Sequence, residues 1–217
     1  MNFVRRIAIC SIAFLCFGFS SFSQKWSILN KLNELVKAHK DDVFILCRGT
    51  RLKTSIISRQ FNLSDSAINH VAVGFVENDQ LLIFNVSDLT IGNSAITKET
   101  LKTFVQSSDV YCLSIWRLKT NRQSLEYFKK SCYDLFAKKI VFDAQFNLRD
   151  DDTLYCSEFS ARMLNTILNE KDAFIPQKKV LNKAFYIAYL QRQLLTYYPV
   201  DFFLSNKNVQ LLYKEQF

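Results

Sequence analysis

The 217-residue chain contains few of the residues that interrupt regular structure, with only four glycines and two prolines. No stretch is rich in proline, glycine or serine, and no internal repeat is visible, so no flexible linker or solenoid is indicated. Since 49% of the residues are hydrophobic and 14% aromatic, the chain can bury one sizeable core but has little room for a second. We therefore expect one domain.

Histidine is also scarce, with His39 and His70 alone, and no CxxC or paired Cys/His spacing is present. Zinc sites draw their four ligands from such pairs, so zinc is not indicated. The run Asp150-Asp151-Asp152 lacks the glycine and the downstream bidentate acid of a calcium loop, which favours a solvated loop. We expect neither a metal nor an organic cofactor.

The positive charge is not concentrated anywhere. The formal net charge is +8, but the lysines occur as scattered pairs such as Lys129-Lys130, Lys138-Lys139 and Lys178-Lys179. Because no basic stripe interleaved with aromatics is present, no nucleic-acid partner is expected. A weak attraction to anionic envelope polymers or lipid head groups, and so a peripheral membrane contact, stays open.

The N-terminus has the pattern of an export signal. Arg5 and Arg6 precede an apolar stretch from Ile7 to Phe19, and Ser21-Phe22-Ser23 is a suitable cleavage site. The sequence predicts a signal peptide over 1–23 and an exported domain over 24–217, periplasmic or extracellular after cleavage. The alternative is a permanent anchor, although the apolar stretch is short for a bilayer span.

Removal of that signal would leave four cysteines: Cys47, Cys112, Cys132 and Cys156. Two disulfide bridges are one interpretation in an oxidising compartment. Cys47 and Cys112 lie in apolar, strand-like runs and Cys132 in a helical one, which is more typical of small buried hydrophobic residues.

Hydrophobic periodicity predicts an α+β domain in which a small antiparallel sheet packs against helices. Helices are expected over Trp26–Lys40, Ser124–Lys138 and Val180–Tyr198, from Cys156 onward, and in a short segment capped by Thr97. Strands are expected over Val43–Cys47, Ile68–Val76, Leu81–Val86, Asp109–Leu118 and Val209–Tyr213, with Glu77-Asn78-Asp79-Gln80 as a hairpin turn.

Three residues of these elements suggest covalent catalysis. Cys156 opens a helix, where unpaired backbone N–H groups favour a thiolate and can stabilise an oxyanion. His70 lies on the first arm of the hairpin, and Asn85 on the second arm can orient its imidazole. The alternatives are a buried small residue for Cys156, a core histidine for His70 and a strand-end residue for Asn85.

Three further residues are candidates for substrate binding. Glu158 is placed to bind an amine, although an acid in a first helical turn also interacts with the helix dipole. Arg48 is placed to hold a carboxylate, and its alternative is an exposed loop arginine. Tyr155 adjoins the candidate nucleophile.

The order of these motifs resembles a known family. The matching segments are Asp42–Gly49, Asn69–Val73, Phe142-Asp143, Leu154–Glu158, Pro199–Phe202 and Leu211–Tyr213. They resemble the permuted papain-like amidases of the YaeF/YiiX type, a circularly permuted branch of the NlpC-type cysteine hydrolases. The resemblance extends from about Val36 onward and implies a permuted papain-like fold in which the histidine strand precedes the cysteine helix.

The resemblance also implies roles. Cys156 is the nucleophile, His70 the base, and Asn85 stands where relatives often carry a polar or acidic third residue. The implied activity is hydrolysis of an amide bond, with cell-wall peptide as the first substrate class. The alternatives are a lipid acyl hydrolase or acyltransferase, and a binding module that has lost turnover. The sequence leaves the oligomeric state open.

Overall fold

The computed structural model describes residues 28–51, 56–91, 94–106, 109–148 and 150–217, so the predicted signal peptide lies outside it. The strands are β1 (Val43–Thr50), β2 (His70–Glu77), β3 (Gln80–Ile91), β4 (Ser94–Thr100), β5 (Val110–Leu118), β6 (Val141–Phe142), β7 (Thr153–Leu154), β8 (Gln177–Val180), β9 (Leu194–Tyr197) and β10 (Val209–Gln216). The helices are α1 (28–37), α2 (Ile56–Gln60), α3 (Leu101–Val105), α4 (Arg122–Phe136), α5 (Cys156–Asn165) and α6 (Ala184–Leu190), with a 3-10 turn at Glu170–Asp172.

The main sheet has six strands in the order β10-β5-β1-β2-β3-β4, and each neighbouring pair is antiparallel. Its central strands are apolar at nearly every position because both faces are covered. In β1, Val43, Ile45 and Cys47 join a cluster with α4 and α5, whereas Phe44 and Leu46 join one with α1 and α3. Side chains alternate between the faces of a strand, so a two-sided core requires this continuous run.

The predicted hairpin is confirmed. Asn78 and Asp79 have φ values of 48° and 60°, the left-handed conformation that a two-residue turn requires at both central positions. The β2–β3 ladder runs from Glu77 opposite Gln80 to Val73 opposite Phe84, while β2 stays paired with β1 as far as His70. Strand β3 therefore separates from β2 near His70, where β2 begins.

The predicted cap at Thr97 is wrong. Residues 94–100 form β4, which pairs with β3, and Thr100 caps α3 by accepting the Thr103 N–H at 3.3 Å. The physical reason is that β3 continues to Ile91, and its backbone groups need a partner strand. Local sequence does not reveal how far a neighbouring strand extends.

The predicted helix over Val180–Tyr198 is also wrong over most of its length. Only Ala184–Leu190 is helical, and the flanking strands β8 and β9 pair with each other. Leu181, Leu190, Leu195 and Tyr197 bury themselves with Phe61 in a separate small cluster. An apolar run of this length satisfies either a helix or a hairpin, and the contacts with Phe61 decide between them.

All four cysteines of the described residues are free thiols, with Cys47, Cys112 and Cys132 buried and Cys156 half-buried. The disulfide interpretation is therefore wrong, because the three buried thiols pack as small hydrophobic residues. In the described part of the chain, no helix has both the length and the apolar character needed to cross a membrane.

Candidate active site

A cavity of about 310 Å³ lies where β2 and β3 separate, and both Cys156 and His70 line it. Asn69, Ser87, Phe146 and Tyr189 form part of its wall. The structure thus brings together a histidine and a cysteine that are 86 positions apart in the chain (156 − 70 = 86).

Backbone N–H groups lie near the Cys156 sulfur. Those of Val71, Ser157 and Cys156 itself each favour the ionised form of the thiol. Val71 directly follows His70, so the thiol lies beside the start of β2. The backbone of β2 before Val73 is not paired with β3, so it can contact Cys156.

Two side chains next to the cysteine fix the start of α5. The Ser157 hydroxyl donates to the Tyr198 carbonyl at 2.7 Å, and the Tyr155 hydroxyl accepts the Tyr198 N–H at 2.8 Å. Tyr155 is almost completely buried, although it contributes to the cavity wall. Its hydroxyl is engaged by the backbone, so we assign Tyr155 to positioning the helix rather than to binding substrate through that group.

His70 belongs to a chain of three side chains. Its Nε2 lies 2.5 Å from Asn85 Oδ1, and Asn85 Nδ2 donates to Glu99 Oε1 at 2.6 Å. An ionised carboxylate can only accept hydrogen bonds, so the Asn85 amide directs its Nδ2 donor toward Glu99. Its Oδ1 acceptor then faces His70. Nε2 must then carry the proton, which leaves Nδ1 as the basic nitrogen.

Sequence reasoning missed Glu99. In the β3–β4 ladder Asn85 lies opposite Thr97 and Ile83 opposite Glu99, so Asn85 and Glu99 share a face of the sheet. Had residues 94–100 been predicted as a strand, their alternation would have placed Glu99 on that face. Because Thr97 was instead predicted to cap a helix, this alternation was not recognised.

Arg48 lies directly opposite His70 in the β1–β2 ladder. Its Nη1 donates to the Phe104 carbonyl at 2.8 Å, and its guanidinium carbon lies 4.6 Å from the centre of the Phe104 ring. Arg48 is not among the residues that line the cavity. The predicted binding of a substrate carboxylate therefore does not fit, and Arg48 instead supplies positive charge near His70 and Cys156.

The resting pair is neutral. Burial raises the pKa of Cys156, and it outweighs the opposing effects of the Val71 and Ser157 N–H groups and of Arg48. Burial first, and then the charge of Arg48, lowers the pKa of His70 to about 3, although its hydrogen bond with Asn85 opposes this. In the free protein, burial thus favours the neutral thiol over the predicted thiolate, because the loss of solvation outweighs the effect of the helix N-terminus.

Alkylation kinetics should reveal the neutral pair. His70 is uncharged above about pH 3, and Cys156 keeps its proton beyond its ordinary pKa of 9.0. We expect the rate of Cys156 labelling by iodoacetamide to rise about tenfold per pH unit and to keep rising past pH 9. Labelling is followed by peptide mass mapping, with Cys156→Ala as the control for the other thiols. A plateau between about pH 4 and pH 8 would instead demonstrate a thiolate–imidazolium pair.

Glu158 does not face the cavity. It is fully buried, and its Oε1 lies 2.7 Å from Arg162 Nη2, one helical turn later. Burial raises the pKa of Glu158 to about 7, against the effect of Arg162. Its predicted role in binding a substrate amine is therefore wrong, because the carboxylate is engaged inside the protein. Arg162 in turn reaches the exposed Asp151 at 2.9 Å.

Within the described residues, no group of three or more His, Cys, Asp and Glu side chains could hold a metal ion. The cavity described above is lined by one thiol, one imidazole, the Asp88 carboxylate and the hydroxyl groups of Ser58 and Ser87, among others.

Comparison with known proteins supports the fold. No protein-family model matches the chain, and no curated protein shows significant similarity to it. The crystal structure of the metalloprotein YiiX from Escherichia coli O157:H7, DUF1105, is similar with a TM-score of 0.61 and 14% sequence identity. The alignment covers 81% of this chain and 98% of that one. The predicted likeness is thereby confirmed at the level of the fold: the chain has a YiiX-like α+β architecture with an antiparallel sheet.

Proposed function

We propose that the protein is a cysteine hydrolase of the permuted papain-like, NlpC-related type that cleaves an amide bond. Cys156 is the nucleophile, His70 the base, Asn85 the residue that orients the imidazole, and Glu99 the residue that orients Asn85. The observation that supports this proposal is the cavity that Cys156 and His70 share. In addition, His70 Nε2 lies 2.5 Å from Asn85 Oδ1. Cell-wall peptides, met after export, are the first substrate class to test.

The neutral pair determines how the reaction begins. As Sγ forms a bond to the substrate carbonyl carbon, its proton passes to Nδ1 of His70. Asn85 and Glu99 stabilise the resulting imidazolium through the hydrogen bonds that they already make. A positioned base of this kind contributes roughly 10²–10⁴-fold in rate.

The remaining steps use the same groups. The carbonyl oxygen becomes an oxyanion that first-turn N–H groups of α5 can stabilise, because these donors have no acceptor within the helix. His70 gives its proton to the leaving nitrogen, the C–N bond breaks and a thioester remains on Cys156. Water then attacks the thioester carbonyl while His70 takes its proton. The C–S bond breaks, His70 returns the proton to Sγ, and the acid product leaves the free thiol.

A lipid acyl hydrolase or acyltransferase is the second candidate, and the composition of the cavity is compatible with it. Ile57, Val86, Phe142, Phe146 and Tyr189 contribute apolar or aromatic wall. Such a wall accommodates an acyl chain as readily as an apolar peptide side chain. A binding module that has lost turnover is the remaining alternative.

Trapping the acyl-enzyme tests the proposed chemistry. Brief mixing with a p-nitrophenyl acyl ester should add one acyl group, and digestion should locate it on Cys156. Cys132→Ala is the matched control, because Cys132 is buried in α4 and should leave the adduct intact. An adduct that persists in Cys156→Ala, or no adduct in the native protein, would refute the nucleophile and favour the binding module. Turnover of peptide amides against phospholipids then separates the two substrate classes.

A further inference from the structure

The segment from β8 to β9 is basic and contains no acid. Residues 173–200 contain Lys178, Lys179, Lys183 and Arg192 but no aspartate or glutamate. In the described part of the chain, none of these four side chains forms an ion pair with an acid. Residues 173–200 are therefore a basic stretch without acids, as are residues 43–64, which contain Arg48, Arg51, Lys53 and Arg59.

The same segment exposes large apolar side chains. Phe185 is 64% exposed and Val180 65% exposed, and Leu194 and Tyr189 are also exposed. Val180 and Leu194 lie directly opposite each other in the β8–β9 ladder, and both point to solvent. Lys178 lies two residues before Val180, so it shares that face of the hairpin.

This exposure does not result from loose packing. The other face of the hairpin buries Leu181, Leu195 and Tyr197 in the cluster with Phe61. Leu190 of α6 is buried in the same cluster. The exposed side chains are thus displayed by a segment whose inner face is anchored.

The exposed face of α6 lies at the cavity. Tyr189 lines the cavity that contains Cys156, and the ring of Phe185 stacks on Tyr189 with centroids 6.1 Å apart and planes 8° apart. Lys183 occupies the N-cap position of α6, two residues before Phe185, and its side chain makes no capping hydrogen bond. Tyr189 is therefore part of the cavity wall, and Phe185 lies directly beside it.

We propose that the β8–α6–β9 segment, Gln177–Tyr197, docks on an anionic phospholipid surface. Lysines attract acidic head groups, while exposed aliphatic and aromatic side chains enter the boundary with the acyl chains. A second copy of the chain is a poorer occupant, because pairing this segment with itself would bring lysines together without any acid. Docking would place the cavity at the lipid boundary. That last step rests on the proposed hydrolase function and narrows its substrates to acyl groups held at a membrane.

Vesicle binding tests the docking surface separately from catalysis. Full-length Cys156→Ala protein is sedimented with vesicles of phosphatidylcholine alone, or of phosphatidylcholine with about a third phosphatidylglycerol. We expect binding to the anionic vesicles only, and weaker binding at high salt because salt screens the lysines. Lys178→Glu with Lys183→Glu should weaken this binding by on the order of tenfold or more, and Phe185→Ser should also weaken it.

Matched variants control for charge and hydrophobicity in general. Lys138→Glu with Lys139→Glu reverses another exposed lysine pair, and Tyr127→Ser removes another exposed aromatic side chain, so both should leave binding unchanged. Equal loss in these controls, absence of vesicle binding, or a dimer that Phe185→Ser disrupts would overturn the docking proposal. If vesicles bind but no acyl-enzyme forms on Cys156, docking stands and the hydrolase function fails.

Discussion

Replacing His70 with alanine is expected to lower kcat/KM toward a p-nitrophenyl acyl ester by roughly 10²–10⁴-fold, with little change in KM. The reason is that the resting thiol is protonated, so attack requires a base to remove the proton during the reaction. In an enzyme with a preformed thiolate, the same change would act mainly by raising the thiol pKa. Steady-state kinetics across pH distinguishes the two cases, because the loss in His70→Ala should shrink only as alkaline pH ionises the thiol.

His39, the other histidine of the chain, is the matched control. His39 Nδ1 lies 2.7 Å from Arg117 Nη1, and the same guanidinium also binds Asp42. His39→Ala should therefore leave kcat/KM nearly unchanged. A comparable loss in both variants would attribute the effect to folding and would contradict the assignment of His70 as the base.

The supporting residues should give a graded loss. Asn85→Ala removes the acceptor for Nε2–H, whereas Glu99→Ala leaves that acceptor in place but lets the amide flip. The loss in Glu99→Ala should thus be smaller than that in Asn85→Ala. The nitrogen chemical shifts of the His70 ring report the tautomer, and an unchanged Nε2–H form in Glu99→Ala would contradict its positioning role.

Replacing Asp201 with alanine is expected to lower the free energy of unfolding by about 3–5 kcal/mol. Asp201 is buried, and its carboxylate accepts the backbone N–H groups of Leu63, Ser64 and Asp65 at 2.7–3.0 Å. Without it, three donors of this loop lose their partner. The loop leads into Asn69 and His70, so activity should fall as well.

Urea denaturation measures this loss as a lower midpoint with an unchanged slope. Asp201→Asn keeps one acceptor oxygen and should lie between the native protein and Asp201→Ala. Asp134→Ala removes an exposed carboxylate whose one ion pair among the described residues is with Lys130, so it should change the midpoint little. A midpoint for Asp201→Ala equal to that of Asp134→Ala would show that the loop does not depend on this carboxylate.

The contact that Asp201 makes could not be predicted from the sequence. Pro199–Phe202 was one of the segments that resemble the YaeF/YiiX type, but the sequence assigns Asp201 no partner. The structure supplies one, a loop 136–138 positions earlier in the chain. Contacts at such separation leave no local pattern, because each partner is compatible with many loop conformations when taken alone.

For the candidate catalytic pair, too, the sequence predicted some features and not others. The hairpin that carries His70 and Asn85, and the helix that opens at Cys156, follow from turn residues and hydrophobic periodicity. Their meeting in one cavity is expected because a strand histidine and a helix-start cysteine can face one another across a sheet–helix groove, and because of the order of the motifs. The sequence favours a thiolate from helix position, which is local, whereas burial raises the pKa of Cys156 and depends on everything packed around the sulfur.

The sequence by itself determined the apolar strands, the turn at Asn78 and Asp79, and the start of α5, since these depend on neighbouring residues and on the alternation of side chains. Tertiary structure alone decided that Glu99 supports Asn85, that Glu158 is buried, and that 177–197 folds as a helix between two strands. Strand pairing and desolvation join residues far apart in the chain, so their outcome depends on the whole packed molecule.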